Sequence, residues 1–263
     1  MSLVPFLESS RPLIFAHRGG CALGPENTIA AFDLGMAAGA DGLELDVHLS
    51  SDGVPVVHHD DRLERTTDGT GLLAARTAAE LARVDAGCRF TAGGAFPFRG
   101  QGVGIPALRD VLRRYPDARV IVEMKVDSRA MGEAVAREVR LAGAAERVCA
   151  AGYGMRSAAA VREALPEMAS SASHPEAQMA VYRSLLGWPV RRVRYGAYQV
   201  PEVAGWIRVV SPRFIRHAHA ANVKVQVWTV DEEPDMRRLL DWGVDALISN
   251  RPDLAVRIRD ARS

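Results

Sequence analysis

Residues 41–49, DGLELDVHL, alternate between aliphatic side chains and small or polar ones. Because successive side chains of a strand point to opposite faces, this segment is expected to form a strand with one apolar and one polar face. The apolar face consists of Leu43, Leu45, Val47 and Leu49. The polar face consists of Gly42, Glu44, Asp46 and His48. This pattern is typical of a barrel strand whose apolar face meets surrounding helices while its polar face points to the barrel axis.

Other short aliphatic runs support a barrel, because they alternate with alanine-rich segments of helical periodicity. The candidate strands lie near residues 13–16, 42–47, 120–126, 147–151, 168–172, 197–200, 223–230 and 245–249. Helices are expected between them, for example over residues 29–38, 108–114, 131–141 and 236–242. Eight strands with their helices predict an α/β fold, a single (β/α)8 TIM barrel domain that spans residues 1–263.

A further strand-like run, VPVVHH at residues 54–59, follows the second strand closely. A parallel crossover needs a dozen or more residues, so this run is predicted to fold back as an antiparallel hairpin. The turn is expected to be centred between Ser51 and Asp52. The resulting pairs are Val57 with Asp46 and His59 with Glu44.

The chain that follows the hairpin is rich in glycine as far as residue 104 and has one helix-like patch at residues 77–84. It lacks the long apolar periodicity of the flanking segments. Residues from about 50 to 105 are therefore interpreted as a small insertion after the second strand.

The charge balance excludes a global electrostatic attraction to nucleic acid or to an anionic membrane, because 33 Lys and Arg stand against 32 Asp and Glu. The N-terminal residues lack a signal-peptide pattern and no apolar run approaches membrane-spanning length, so a soluble, cytoplasmic protein without membrane insertion is expected. Cys21, Cys88 and Cys149 have no metal-ligand spacing and are expected to be reduced thiols. The sequence does not indicate an oligomeric state.

Polar residues end several predicted strands on the side where barrels carry their active sites. In LIFAHRGG, residues 13–20, an apolar strand stops at His17 and Arg18. Histidine exchanges a proton near neutral pH, and arginine offers a charged fork that suits phosphate. Strand-end polar residues are also common without a function, so this pair alone is weak evidence.

Acidic residues form a candidate metal site. Two carboxylates on one inward face, Glu44 and Asp46, cannot both stay ionised in a poorly solvated site without a cation. A divalent metal with oxygen ligands meets this need, and pairing with arginines is the alternative. In VIVEMKV, residues 120–126, Glu123 is a candidate third ligand and Lys125 a candidate partner for phosphate. A plain ion pair between these last two residues is the other interpretation.

One histidine of the hairpin and one tryptophan complete the candidate site. Adjacent strand residues face opposite sides, so only one of His58 and His59 joins the acidic cluster, and the hairpin pairing favours His59. Trp228 ends the seventh strand, where it either walls the pocket or packs in the core. Glu26 and Asn27 either serve the site or begin and cap the next helix.

The ordered set of these motifs resembles the glycerophosphodiester phosphodiesterase family over nearly the whole chain. The motifs are HRGG (17–20), PENT (25–28), ELDV (44–47), VVHHD (56–60), RTTDGTG (65–71), EMK (123–125) and WTVD (228–231). Each is weak alone, but their order is specific. The resemblance implies a (β/α)8 barrel with a small insertion after the second strand, as in the bacterial cytoplasmic members of the family.

The resemblance also implies an activity, the metal-dependent hydrolysis of glycerophosphodiesters to glycerol 3-phosphate and an alcohol. By this resemblance, acid–base catalysis falls to His17 and His59. Phosphate binding falls to Arg18 and Lys125, with Trp228 beside the substrate. One divalent ion, Mg or Ca, would be held by Glu44, Asp46 and Glu123.

The sequence departs from the family at two places near the site. Gly152 and Tyr153 replace a frequent Ser-Phe pair, and Asn250 replaces a frequent acidic residue. These changes leave the alcohol portion of the substrate open. Three alternatives remain: a lysophospholipase D with a wide apolar cleft near the insertion, a non-catalytic phosphodiester-binding barrel, and a barrel aldolase or isomerase that uses Lys125 as a Schiff-base amine.

Overall fold

The computed structural model describes residues 4–190 and 193–262, and within them eight parallel strands form a barrel. The strands of the described residues are β1 (Leu13–His17), β2 (Gly42–Leu49), β3 (Pro55–Val57), β4 (Arg119–Met124), β5 (Val148–Gly152), β6 (Ala169–Ser170), β7 (Ala197–Pro201), β8 (Val203–Ala204), β9 (Ile207–Arg208), β10 (Lys224–Trp228) and β11 (Ala246–Ser249). The pairing order is β6-β5-β4-β2-β1-β11-β10-β7, and a parallel bridge between Ser171 and Ala197 joins its two ends. The predicted (β/α)8 fold is confirmed.

A helix follows each barrel strand. The helices of the described residues are α1 (Ile29–Ala37), α2 (Ala78–Leu81), α3 (Leu108–Arg114), α4 (Arg129–Leu141), α5 (Met155–Ala164), α6 (His174–Leu186), α7 (Pro212–His219), α8 (Glu233–Trp242) and α9 (Pro252–Asp260). Helix α4 shows why these segments are helical: Ser128 caps its N-terminus by accepting from the Met131 amide, and Met131, Val135 and Val139 are buried at a spacing of four residues. None of the helices in the described ranges is long and apolar enough to cross a membrane.

The side chains inside the barrel form a core of their own, separate from the cores under the helices. Phe15, Ile121 and Ile248 belong to this inner core, which continues into the N-terminal segment. There the ring of Phe6 stacks on Phe15 with 5.7 Å between centroids. The N-terminal end of the barrel is therefore filled, and the polar residues collect at the opposite end.

The hairpin of β2 and β3 is antiparallel, as predicted, but its predicted register is wrong by one residue. Val57 lies opposite Val47, and Val56 lies opposite His48. The turn is a three-residue loop: the Ser50 amide donates to the Val54 carbonyl, and Gly53 adopts a φ of +74°. Since the loop is one residue longer than assumed, the predicted pairs shift. The pairs of Val57 with Asp46 and of His59 with Glu44 do not form.

The segment between β3 and α3 packs around a small cluster of buried aliphatic residues. The cluster includes Val56, Leu63, Leu73, Leu81 and Ile105. Its short helix α2 begins with a capping box in which Thr77 and Glu80 satisfy each other's backbone amides. This helix lies in the predicted helix-like patch. The three cysteines of the chain are free thiols, as predicted.

Candidate active site

A cavity of about 400 Å³ opens at the carboxyl ends of the barrel strands. Seven of the eight predicted site residues line it: His17, Arg18, Glu44, His59, Glu123, Lys125 and Trp228. The eighth, Asp46, is buried beneath its floor in contact with Arg18 and Lys125. All eight predicted residues therefore lie at one end of the barrel.

The three predicted carboxylates form one cluster. Glu44, Asp46 and Glu123 each offer an oxygen atom, and these atoms lie within 4.8 Å of one another. Burial, reinforced by the charges of Asp46 and Glu123, raises the pKa of Glu44 well above its usual range. An all-oxygen donor set with this unfavourable negative charge suits a hard divalent cation. The residues present therefore fit a metal ion of the predicted class.

Two side-chain cations also contact this cluster. Lys125 Nζ lies 2.9 Å from Asp46 Oδ1 and 3.0 Å from Glu123 Oε1, and Arg18 Nε lies 3.3 Å from Asp46 Oδ2. Burial lowers the pKa of Lys125, but the two carboxylates outweigh it and the net shift is upward. The ion pair of Glu123 with Lys125 considered from the sequence is thus present, whereas the pairing with arginine holds for Asp46 and not for Glu44. Within the described residues, Glu44 is the carboxylate of the cluster that has no Lys or Arg ion-pair partner.

Arg18 sits at a tight turn after β1. Its backbone amide donates to Glu44 Oε2 at 3.0 Å, and its Nη1 donates to Glu26 Oε1 at 3.0 Å. The turn continues through Gly19, where a φ of +88° and the nearby Phe32 ring leave no room for a side chain. The Nε of Arg18 is buried and forms no well-aligned hydrogen bond with the described residues; its ion-pair partner is Asp46, 3.3 Å away.

A hydrogen-bonded chain orients His17. Its Nδ1 lies 2.6 Å from Asn250 Oδ1, and Asn250 Nδ2 donates to Asp231 Oδ2 at 2.6 Å. Because a carboxylate only accepts, the amide must turn its oxygen toward His17, and His17 Nδ1 must donate. His17 Nε2 is then an acceptor, 3.8 Å from Glu44 Oε2. Burial is the main cause that lowers the pKa of His17, and this favours the neutral ring.

His59 reaches the cavity although the predicted register is wrong. Strand pairing ends at Val57, the His58 amide donates to the Asp46 carbonyl, and the chain then leaves the strand direction. His59 Nδ1 contacts Asp60 Oδ1 at 2.6 Å, and its carbonyl accepts from His48 Nε2 at 2.9 Å. His58 is buried against the insertion, as expected for a packing residue.

Several residues that sequence reasoning passed over support the site. Arg65 donates to both Asp60 and Glu26, so it ties the insertion to the turn after β1. Arg65 begins the motif RTTDGTG, but the motif alone does not reveal the contacts of Arg65 with Glu26 and Asp60. Asp231 belongs to the motif WTVD, but the motif alone indicates no role for it. The sequence marks Asn250 only as a departure from the family.

The capping interpretation of Asn27 is wrong. Thr28 caps α1 by accepting from the Ala31 amide. Asn27 is buried with a φ of +59°, donates to Asp46 Oδ2 at 2.8 Å and accepts from the Asp46 amide at 3.2 Å. Asn27 therefore positions an acidic residue of the site. The left-handed backbone that turns it inward is one that asparagine adopts more readily than most residues.

The sequence model of the Glycerophosphoryl diester phosphodiesterase family matches residues 17–254. The chain belongs to this family. A glycerophosphodiester phosphodiesterase from Caldanaerobacter subterraneus subsp. tengcongensis is 30% identical over 253 residues, which cover 94% of this chain and 98% of that relative. The resemblance seen in the sequence and the enzyme class, a phosphoric diester hydrolase, are thus confirmed.

Solved structures of the glycerophosphoryl diester phosphodiesterase family share this fold. The phosphodiesterase domain of a Mycobacterium tuberculosis protein superposes with a TM-score of 0.81 at 24% identity, covering 97% of this chain and 100% of that one. The glycerophosphodiester phosphodiesterase from Agrobacterium tumefaciens superposes with a TM-score of 0.76 at 27% identity, covering 95% and 99% of the two chains. The barrel is therefore the family architecture.

Proposed function

We propose that this phosphodiesterase hydrolyses glycerophosphodiesters to glycerol 3-phosphate and an alcohol by acid–base catalysis from His17 and His59, with one divalent metal ion. The observation that carries the proposal is that both imidazoles line one cavity together with Glu44 and Glu123 of the carboxylate cluster. Family membership supports the reaction class.

The metal ion, Mg or Ca, would be held by Glu44, Asp46 and Glu123. When bound, a divalent cation supplies positive charge that stabilises the negative charge developing on a phosphodiester in the transition state. Glu44 gains most from such an ion, because within the described residues it lacks a side-chain cation and its pKa is raised by burial and by its acidic neighbours.

Phosphate binding is assigned to Arg18 and Lys125. Arg18 lines the cavity, and its guanidinium group is suited to charge-assisted hydrogen bonds with phosphate oxygens. Lys125 Nζ is held by Asp46 and Glu123 at the edge of the same cavity. Trp228 lines the cavity at the end of β10, where it is assigned to the carbon skeleton of the substrate.

The two histidines are assigned complementary proton transfers. His17 presents Nε2 as an acceptor, so it removes the proton from the attacking group. That group is either water, or the glycerol hydroxyl of the substrate, in which case water then opens the cyclic phosphate. His59, oriented through Nδ1 by Asp60, protonates the departing alcohol oxygen.

The remaining assignments are one catalytic domain over residues 1–263, an insertion at about residues 50–105 that carries His59, a cytoplasmic location, and a small phosphodiester rather than nucleic acid as partner.

Turnover of glycerophosphocholine with added Mg or Ca tests this function. His17→Ala and His59→Ala should each lower kcat by roughly 10²- to 10⁴-fold, since each removes one proton-transfer group. His219→Ala is a matched control because His219 lies on α7 and pairs with Asp245 outside the cavity. Wild-type rates in both active-site variants would refute the proposal, and tight calorimetric binding without product would favour the non-catalytic alternative.

A further inference from the structure

Charge in the cavity is confined to one half of the barrel mouth. The lining residues that carry a formal charge are Arg18, Glu44, Glu123 and Lys125, which lie on or directly after β1, β2 and β4. Those three strands are neighbours in the barrel. The opposite half, built by β5, β6, β7 and the segments that follow them, contributes no Asp, Glu, Lys or Arg to the lining among the described residues.

This opposite half forms an extension of the cavity that is named here the apolar wing. It is defined by Tyr153, Ala177, Val181, Tyr182, Ala204 and Ile207. Its wall comes from the loop after β5, from helix α6 and from the hairpin of β8 and β9. No residue between 60 and 120 lines the cavity, so the apolar cleft does not lie near the insertion, where the sequence-based alternative had expected it.

Several large side chains of the apolar wing remain open to solvent. Tyr153, Tyr182 and Ile207 are 62%, 47% and 45% exposed, although each lines the cavity. These exposed side chains share one cavity, the same one that His17 and His59 line. Contiguous apolar surface of this kind marks a binding surface for an apolar group.

The chemistry of the apolar wing selects its occupant. Four of its six residues, Ala177, Val181, Ala204 and Ile207, are aliphatic, so this wall offers mainly hydrocarbon surface, although Ser171, His174, Gln178 and Gln199 line the same half of the cavity. Aliphatic surface binds a hydrocarbon chain, whereas a quaternary ammonium headgroup would need an aromatic cage or a carboxylate. Resting on the function proposed above, we propose that one ester arm of the phosphodiester substrate carries a hydrocarbon chain that binds in the apolar wing. The chain is either an acyl group on the glycerol or the alkyl group of the departing alcohol.

Two homologous substrate series distinguish these sources. One is glycerophosphodiesters of linear alcohols from methanol to octanol, and the other is lysophosphatidylcholines with acyl chains from butanoyl to octanoyl, all used below their micellar concentrations. Burying one methylene contributes about fourfold in kcat/KM, or about 0.8 kcal/mol. We therefore expect kcat/KM to rise at least about tenfold along one of the two series, and the series that rises identifies the arm.

The hairpin of β8 and β9 offers a matched pair of variants. Ile207 pairs with Ala204 and both line the cavity, whereas Val203 pairs with Arg208 on the other face and does not. Val203 is 48% exposed, close to the value for Ile207, so Val203→Glu adds the same charge to the same hairpin at similar exposure. Ile207→Glu should abolish the dependence of kcat/KM on chain length, and Val203→Glu should retain it.

A second variant on another element, Tyr182→Asp on α6, should flatten the same dependence, and circular dichroism with the Tm verifies folding. Series that stay flat while wild-type protein turns over glycerophosphocholine would overturn the inference and leave the proposed function intact. A rise that survives both Ile207→Glu and Tyr182→Asp would also overturn it, because the chain would then bind elsewhere. Absence of turnover on every substrate would refute the proposed function and this inference with it.

Discussion

Asn250→Ala removes the oxygen that orients His17. In the native site this oxygen accepts from His17 Nδ1 at 2.6 Å, and Asp231 holds the amide in the required orientation. Without this oxygen, nothing fixes the proton of the His17 ring on Nδ1. Nε2, the nitrogen that faces the cavity, can then carry the proton instead and no longer acts as an acceptor. His17, the proposed base, remains in place but is wrongly oriented or protonated for part of the time.

The size of the effect has a lower and an upper bound. A side-chain hydrogen bond contributes about 1 kcal/mol net, which corresponds to roughly fivefold in rate if it acts only on the active orientation. Complete loss of general-base catalysis would cost roughly 10²- to 10⁴-fold. Because His17 is still present, we expect an intermediate decrease in kcat of about 10- to 100-fold, with little change in KM.

Steady-state kinetics on glycerophosphocholine, with the Tm as a folding control, measures this effect. A sharper comparison uses two further variants. Asn250→Asp places a second carboxylate against Asp231, where the Asn250 amide had donated a hydrogen bond. The double variant Asp231→Asn with Asn250→Asp restores this hydrogen bond with donor and acceptor exchanged. The double variant should regain most of the activity that Asn250→Asp loses. An Asn250→Ala protein with a native Tm and a kcat within about twofold of wild type, less than one hydrogen bond contributes, would refute the argument.

Three further outcomes are expected. Mg or Ca at about 100 times its Kd should stabilise the protein by about 2.7 kcal/mol and raise the Tm by roughly 5–10 °C, and Glu44→Gln should abolish most of this shift in a thermal melt. Gly35→Ala should destabilise the fold by about 1–3 kcal/mol in urea denaturation, because a Cβ there would lie 2.5 Å from the Gly19 carbonyl oxygen; an unchanged midpoint would contradict this. Burial, with a smaller contribution from the charge of Glu26, raises the pKa of Cys21 to about 11, so iodoacetamide should modify this thiol slowly at pH 7.5 and faster as the pH rises, as mass spectrometry would show.

The fold was predictable because it depends on local periodicity. The alternation in residues 41–49 determines which side chains of β2 face the barrel axis, and Glu44 and Asp46 do so in the structure. Strand ends determine which residues reach the carboxyl end of the barrel, and this placed His17 and Lys125 correctly. Such information lies within about ten neighbouring residues, the length over which a strand is specified.

The rest of the site depends on turn geometry and on distant contacts. One additional loop residue, made possible by the left-handed backbone of Gly53, shifted the hairpin register. Asn250 is separated by 233 positions from His17, and Arg65 by 39 positions from Glu26, so no local pattern reveals either contact. The sequence left two roles open for Asn27, because asparagine is equally suited to cap a helix and to hydrogen-bond a carboxylate of the site.

The separation of charge and hydrocarbon across the barrel mouth bears on how this enzyme is able to diversify. The ionic groups belong to the first half of the polypeptide, before residue 126, whereas the apolar wing is encoded after residue 150. Substitutions in the later half can therefore change which alcohols or acyl chains the enzyme accepts without replacing the charged residues of the cavity. Chimeras that join residues 1–126 to the later half of a relative would keep the histidines and carboxylates of one parent. They would take from the other parent the apolar wing and the positions of Asp231 and Asn250, which orient His17.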